Sequence, residues 1–133
     1  MNPEPSILVV DDELLIRDLL YDFFTGQGWD IAVAESSQKA LNIMRQKKVD
    51  LVLSDIMMPE MDGMDLTVKL RQEYPEVPVV VMTGYPSVES AIQALRQRVA
   101  DYVTKPFNIN ELYKSIERHL EESRAAKSSD TDE

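Results

Sequence analysis

Four short apolar runs, each ending at polar residues, constrain what this 133-residue chain can fold into. The runs are rich in β-branched residues and are separated by helical patterns, which indicates parallel strands. Parallel strands gather their carboxyl ends at one edge of a sheet. The residues at the ends of the four runs are therefore expected to share one crevice, and they are Asp11 with Asp12, Asp55, Thr83, and Lys105 with Pro106.

Helical patterns follow the strands. The first helix is expected to turn one apolar face inward, formed by Leu14, Leu15, Leu19, Leu20 and Phe23. The fourth is expected to begin at Pro86-Ser87 and to face inward with Val88, Ala91, Ile92 and Leu95. Ser36-Ser37 is expected to cap the second helix and Asn108 the last one. Five alternations of strand and helix imply right-handed crossovers and a parallel sheet covered on both faces, an α/β fold.

Length and composition fit one compact domain. Hydrophobic residues make up 44% of the chain, enough for a sizeable core. No stretch approaches the ~20 apolar residues of a membrane span. Residues 1–6 lack the basic and apolar regions of a signal peptide. We therefore expect a cytoplasmic protein that does not contact a membrane.

The charge balance disfavours nucleic acid as a partner. Fourteen basic against 24 acidic residues leave a net charge of −10, which repels phosphate backbones. Part of this charge lies at the end of the chain, where acidic residues mix with Ser, Ala and Lys without an apolar stripe. We expect residues 1–125 to form the domain and residues 126–133 to form a disordered acidic tail.

The strand-end residues suit phosphoryl chemistry. A carboxylate is a poor nucleophile toward an anionic phosphoryl group unless a cation neutralises the charge, so Asp55 would need a metal. Asp11 and Asp12 point in different directions, so one can bind a hard cation directly and the other through water. Taken singly, either acid would more often cap the following helix, and Thr83 would more often bond its own backbone. Their joint placement favours a site.

The chain resembles the receiver domain of two-component response regulators. The resemblance covers residues 6–120 and is carried by Asp11 with Asp12, Asp55 with Pro59 and Gly63 behind it, Thr83, and Lys105 with Pro106. It implies a flavodoxin-like, doubly wound (βα)5 fold. In that fold a five-stranded parallel sheet of order 2-1-3-4-5 is the middle layer of a three-layer sandwich.

The same resemblance implies roles for individual residues. Asp55 would be the phosphoacceptor, and Mg²⁺ or Mn²⁺ would be held by Asp12, Asp55 and the backbone carbonyl of Met57, with Asp11 assisting. Lys105 and Thr83 would contact phosphoryl oxygens, and a cis peptide before Pro106 would aim the lysine into the crevice. Such a domain catalyses only its own phosphorylation and dephosphorylation, so it is not expected to be an enzyme acting on other substrates.

Tyr102 is the residue expected to carry output. It lies three residues before Lys105, where receivers place an aromatic ring that turns inward as the Thr83 hydroxyl moves toward the phosphoryl group. The switch would act through the fourth helix, the fifth strand and the fifth helix. Receivers commonly carry glycine at the end of the fourth helix, whereas this chain has Arg98, so that helix is expected to end differently.

The partners implied by the resemblance are a sensor histidine kinase or a phosphotransfer protein. Output would run through a downstream protein or through an output domain beyond this sequence, because residues 85–107 are similar to receivers of transcriptional activators. A homodimer is left open. His119, the only histidine, is expected to be solvated surface rather than a phosphorelay histidine.

Three other classes of protein share features with this sequence. A haloacid dehalogenase phosphatase needs a second acid two residues after its nucleophile, where this chain has Met57. A flavodoxin needs a hydroxyl-rich loop after its first strand, where Asp11, Asp12 and Glu13 would repel the flavin phosphate. A constitutive, unphosphorylated protein-binding module remains as the alternative function.

Overall fold

Five strands and five helices alternate along the part of the chain that the structure describes, residues 4–58 and 63–131 of a computed structural model. Pro59, which contributes to the receiver resemblance, lies outside these residues. The elements are β1 Ser6–Val10, α1 Leu14–Gly26, β2 Asp30–Ala34, α2 Ser37–Gln46, β3 Leu51–Asp55, α3 Gly63–Glu73, β4 Val79–Thr83, α4 Val88–Arg96, β5 Asp101–Thr104 and α5 Ile109–Thr131.

The strands form a parallel five-stranded sheet of order β2-β1-β3-β4-β5, which confirms the predicted order. The chain passes from β1 to β2 on one side and returns to β3 on the other side of β1. This reversal opens a crevice at the carboxyl ends of β1 and β3, the place where open α/β sheets bind ligands. Asp11 and Asp12 follow β1, and Asp55 ends β3.

Alternate strand residues supply two separate hydrophobic cores. On one face, Leu8, Val52 and Val81 pack with residues of α2, α3 and α4. On the other, Val9 and Leu53 pack with residues of α1 and α5. Because both faces are covered, the central strands β1, β3 and β4 are buried along their whole length, which is the pattern expected of a buried parallel sheet. A fully buried aliphatic side chain contributes about 2 kcal/mol, so these layers hold the strand ends in place.

The inward faces predicted for two helices were wrong at most positions. On α1, Leu20 is buried and Phe23 is half-buried as predicted, but Leu14, Leu15 and Leu19 are exposed. Phe24, which was not predicted to face inward, is buried. On α4 the large apolar side chains lie on the outside: Val88, Ile92 and Leu95 are 78%, 43% and 77% exposed. The sequence period alone does not reveal which face of such a helix meets the sheet. In α4 the buried residue is the small Ala94, so the helix meets the core through a small side chain.

The predicted helix caps are present. The Ser36 hydroxyl accepts a hydrogen bond from the Lys39 N–H. The Asn108 side chain accepts from the N–H groups of Asn110 and Glu111 at the start of α5. The helix continues to Thr131, so the predicted division near residue 125 falls inside it and stays a prediction. Within the described residues, no helix is both long and apolar enough to cross a membrane.

Arg98 ends α4 in a conformation that normally favours glycine. Its φ is +56°, in the left-handed region. The Arg98 N–H donates to the Leu95 carbonyl, and the Val99 N–H donates to the Ala94 carbonyl, which closes the helix end. The expectation that α4 would end differently without glycine was therefore wrong. The helix ends with the same left-handed residue, but the β-carbon of Arg98 carries a steric cost in this conformation.

Arg98→Gly is expected to raise the free energy of unfolding by about 1 kcal/mol, because glycine removes this steric cost. The control is Gln97→Gly, one residue earlier, where φ is −84° and glycine removes no strain. That change should lower the free energy of unfolding. Urea unfolding of both variants measures the two effects, and a destabilised Arg98→Gly protein would contradict the argument.

Candidate functional site

Three carboxylates meet at the carboxyl ends of β1 and β3. Asp11 is fully buried, Asp55 is 3% exposed, and Asp12 faces solvent. One oxygen from each lies within 4.8 Å of the others. We call this cluster of Asp11, Asp12 and Asp55 the acidic crevice. Two neighbouring buried strands each place one acid, Asp11 and Asp55, where water cannot screen its charge, so the site must neutralise that charge in another way.

Lys105 supplies positive charge to the acidic crevice. Its Nζ lies 2.8 Å from Asp11 Oδ2 and 2.8 Å from Asp55 Oδ2. A further carboxylate, that of Glu13, lies 3.2 Å away and is largely exposed. The peptide between Lys105 and Pro106 is cis, as the sequence suggested. One ammonium therefore bridges two buried acids that come from different strands.

Backbone N–H groups fix the second oxygen of each buried acid. Asp11 Oδ1 accepts from the Glu13 N–H at 2.9 Å, and Asp55 Oδ1 accepts from the Met57 N–H at 2.8 Å. The alternative in which Asp11 or Asp12 caps α1 was wrong. The N-cap residue of α1 is Glu13, and its side chain makes no cap hydrogen bond to the helix. Asp11 thus faces the crevice, and neither Asp11 nor Asp12 is the N-cap of α1.

Burial and ion pairing have opposite effects on the pKa values of Asp11 and Lys105. Burial raises the pKa of Asp11, although hydrogen bonds from Lys105 and the Glu13 N–H act to lower it. Burial alone would lower the pKa of Lys105, but its hydrogen bonds to Asp11 and Asp55 raise that pKa well above the usual range. Lys105 therefore stays protonated at any physiological pH and remains a fixed positive charge.

Thr83 and Gly84 stand at the end of β4, next to Lys105. The Thr83 side chain is buried, and its Oγ1 accepts from the Tyr85 N–H at 3.0 Å. The turn-residue alternative considered for Thr83 is thus the arrangement seen here. A β-carbon at Gly84 would lie 4.0 Å from the Cβ of Lys105, so Gly84 adjoins the lysine. Thr83 lies at the same edge of the sheet as the crevice, but its hydroxyl is engaged with its own loop.

Tyr102 is joined to α4 rather than to the acidic crevice. Its ring is half-buried against the core shared by α2, α3 and α4. Its Oη lies 2.7 Å from Ser90 Oγ, and the Ser87 N–H donates to it over 3.4 Å. Sequence reasoning missed Ser90 as its partner. The spacing of Ser87 and Ser90 predicts a helix start, but only the packing of β5 against α4 brings the tyrosine to them.

Glu13 was also missed as a partner of Lys105, although its place directly after the acid pair could have suggested it. Met57 and Tyr85, two residues beyond Asp55 and Thr83, are exposed. His119 was wrongly assigned to solvated surface, because its side chain is only 14% exposed. It lies beside Pro78 and Ala100, at the opposite edge of the sheet from the acidic crevice.

The acidic crevice has the composition of a site for a hard cation. Carboxylate oxygens from two strand ends are the donors that Mg²⁺ prefers, and the exposed Asp12 leaves one side open to water and substrate. The negative charge of three acids exceeds what Lys105 alone can neutralise. The residues present therefore fit a divalent cation.

Comparison with known families agrees with this geometry. Residues 7–117 match the family described as the response regulator receiver domain. That match covers most of the chain, including the acidic crevice, Thr83, Tyr102 and Lys105. The chain therefore belongs to the receiver domains of two-component response regulators.

Two regulators of Escherichia coli K12 are among the similar proteins. Transcriptional regulatory protein GlrR is 37% identical over 127 residues, which are 95% of this chain and 29% of that protein. Regulatory protein AtoC is 41% identical over 115 residues, 86% of this chain and 25% of that protein. The chain thus spans less than a third of the length of these relatives.

Solved structures show the same fold. A CheY-like receiver domain protein from Methanospirillum hungatei JF-1 superposes with a TM-score of 0.90 at 27% identity, covering 93% of this chain and 99% of that one. NtrX from Brucella abortus superposes with a TM-score of 0.91 at 32% identity, covering 98% of this chain and 30% of that one. The fold thus matches a structure of about this length and part of a longer one.

Asp12→Ala tests whether the three acids repel one another in the metal-free protein. We expect the variant to melt about 3 °C higher without metal, a shift that ~1 kcal/mol of relieved repulsion would produce. We also expect it to lose the stabilisation that added Mg²⁺ gives the unaltered protein. Thermal melting with and without Mg²⁺ measures both. Glu76→Ala, an equal charge change at an exposed turn residue, is the control, and an unchanged metal-free melting temperature would refute the repulsion.

Proposed function

We propose that this chain is a phosphoacceptor that works in the cytoplasm. Asp55 takes a phosphoryl group from a sensor histidine kinase or a phosphotransfer protein, and the α4-β5-α5 face of the domain then changes. The observation that carries the proposal is the placement of Asp55, a buried carboxylate held between Lys105 at 2.8 Å and two further acids. Such a carboxylate has the charge environment that phosphoryl transfer to oxygen requires.

In the transfer, a bond forms between a carboxylate oxygen of Asp55 and phosphorus. The bond between phosphorus and the imidazole nitrogen of the donor breaks, and the donor leaves with its electron pair. Lys105 already contacts Asp55 Oδ2, so its ammonium is in place to neutralise charge on a phosphoryl oxygen. The Met57 N–H holds Asp55 Oδ1 and limits rotation of the carboxylate. The chain thus contributes positioning and electrostatic stabilisation.

A bound Mg²⁺ or Mn²⁺ would supply charge neutralisation between the carboxylate and the incoming phosphoryl oxygens. The residues that would hold it are Asp12, Asp55 and the backbone carbonyl of Met57, with Asp11 assisting. The exposure of Asp12 and the burial of Asp11 support this division. The buried Asp11 is paired with Lys105, whereas Asp12 faces solvent and can share a cation with water.

The proposed switch joins Thr83 to Tyr102. In the structure the Thr83 hydroxyl accepts from the Tyr85 N–H, and its own proton can be donated to a phosphoryl oxygen on Asp55. Movement of the hydroxyl toward that oxygen would lengthen and break the bond from the Tyr85 N–H. Thr83 would then donate to the phosphoryl group and release the loop before α4. Tyr102, which packs against α4, would change its position with that loop.

Exposed apolar side chains support two docking roles. Leu14 and Leu15 begin α1 directly after the acidic crevice, where a phosphodonor protein must approach. Val88, Ile92 and Leu95 cover the outer face of α4 and support an output role for the α4-β5-α5 face. That output would go to a downstream protein, to a second copy of the domain, or to an output domain in a longer chain. GlrR and AtoC, named as regulatory proteins, are such longer chains.

The proposal is tested by intact-mass analysis after incubation with acetyl phosphate. We expect a single phosphoryl adduct that forms with Mg²⁺, is absent when the metal is chelated, and is absent from Asp55→Asn. Asp18→Asn, which removes the charge of an exposed acid on α1, should keep the adduct. A folded wild-type protein that gains no adduct would favour a constitutive binding module instead.

A second prediction concerns how long the phosphoryl group stays. Met57 and Tyr85 are apolar or bulky where a polar side chain could orient an attacking water, so the phosphorylated state should be long-lived. Met57→Asn should speed phosphate loss roughly ten-fold, which corresponds to about 1.4 kcal/mol in the barrier. The decay of the adduct after removal of acetyl phosphate measures the rate. Leu95→Asn is the control at an exposed apolar residue outside the crevice, and equal decay in all three proteins would reject the prediction.

A further inference from the structure

The hydroxyl of Tyr102 joins a small hydrogen-bond network at the start of α4. Ser90 Oγ lies 2.7 Å from Tyr102 Oη, and it also lies 3.0 Å from Ser87 Oγ and 3.2 Å from the Ser87 carbonyl. The Ser90 N–H donates to Ser87 Oγ at 3.0 Å, so Ser87 is the N-cap of α4. The tyrosine is therefore bonded to the residues that begin this helix.

The hydroxyl of Ser90 is the short link between the ring and the start of the helix. In the 2.7 Å contact either hydroxyl can be the donor, and the Ser87 N–H donates to Tyr102 Oη. With either direction, Ser90 Oγ joins Tyr102 Oη to the Ser87 cap. The contact of 3.4 Å from Ser87 to the ring is too long to hold the ring strongly.

The same network is connected to Thr83 through the chain. Residues 84–86 join Thr83 to Ser87, and the Tyr85 N–H within them is bonded to Thr83 Oγ1. A movement of the Thr83 hydroxyl would break this bond and shift the short loop. The next residue along the chain is the cap to which Ser90 and Tyr102 are bonded. The path from Thr83 to the ring is therefore covalent up to Ser87 and depends on hydrogen bonds beyond it.

We propose that Ser90 is a positioning residue that ties the Tyr102 ring to the first turn of α4, so that ring and helix start move together. The response of this tie to phosphorylation rests on the function proposed above for Asp55. Ser90 is half-buried beneath the start of the helix and lies on a different side from the exposed Val88. Its hydroxyl touches neither the acidic crevice nor Lys105, so its loss should leave the phosphorylation chemistry in place.

The tie is tested first in the unmodified protein by amide hydrogen exchange in the first turn of α4. Tyr102→Phe should speed that exchange roughly five-fold, the effect of losing a hydrogen bond worth about 1 kcal/mol. In a Ser90→Ala background the same Tyr102→Phe change should have almost no effect. In a Ser90→Thr background, which keeps a hydroxyl, the acceleration should return. The comparison of backgrounds removes the change in helix propensity that alanine brings.

Equal acceleration by Tyr102→Phe in the wild-type and Ser90→Ala backgrounds would overturn the proposal. A ring held by the Ser87 N–H would give that result, because this bond does not depend on the Ser90 hydroxyl. A ring held by packing alone would give no acceleration in the wild type, because phenylalanine keeps the ring, and that result would overturn the proposal too. Failure of Ser90→Thr to restore the acceleration would also count against it.

The phosphorylated state is tested with acetyl phosphate and Mg²⁺ after the adduct has been measured by mass. The comparison is made at equal amounts of phosphoryl adduct in the wild type and in Ser90→Ala. In the wild type, phosphorylation should alter amide hydrogen exchange both in β5 and at the start of α4. In Ser90→Ala the change at α4 should be lost or strongly reduced, and an undiminished change would reject the tie as a transmitter. If the wild type forms no adduct, the proposed function fails, while the exchange cycle on unmodified protein still decides whether Ser90 holds the ring.

Discussion

The contact of Lys105 with two buried carboxylates is the interaction on which the site depends. Asp11 follows β1, Asp55 ends β3, and Lys105 follows β5, so the ammonium joins the ends of three strands. Its bonds to the two acids are both 2.8 Å long. Two buried acids without this partner would carry uncompensated charge, which is far more costly than the loss of an ordinary surface ion pair. The lysine therefore stabilises the fold and prepares the site together.

That arrangement also suits the proposed binding of both a cation and a phosphoryl group. Lys105 neutralises one charge of the acidic crevice, and the exposed Asp12 keeps a surplus of negative charge that favours a divalent cation. A phosphoryl group added to Asp55 would place further negative charge beside Lys105 and the divalent cation. In the metal-free crevice the positive charge comes from the Lys105 ammonium. A phosphoryl group on Asp55 could contact the same ammonium while Asp11 stays paired with it.

Much of the fold could be predicted from the sequence because strands and cores depend on local pattern. The apolar runs from Ile7 and Leu51 became buried strands, and the polar residues after them met at one edge, as parallel strands require. The inward faces of α1 and α4 could not be predicted, because Leu15 and Leu95 look like core residues in a window that contains no information about the sheet. Partners far apart in sequence, such as Ser90 and Tyr102, also required the tertiary structure.

The outward position of the large apolar residues of α4 has a physical consequence for a signalling domain. A helix that buried Val88, Ile92 and Leu95 would be anchored by large side chains and would be hard to displace. In the structure the same residues face outward, and α4 meets the sheet through the small side chain of Ala94. Its first turn is then held largely by hydroxyl groups, which can exchange one partner for another at little net cost. The helix is weakly anchored to the sheet on the inside and apolar on the outside, a combination suited to a segment that moves and then meets a partner.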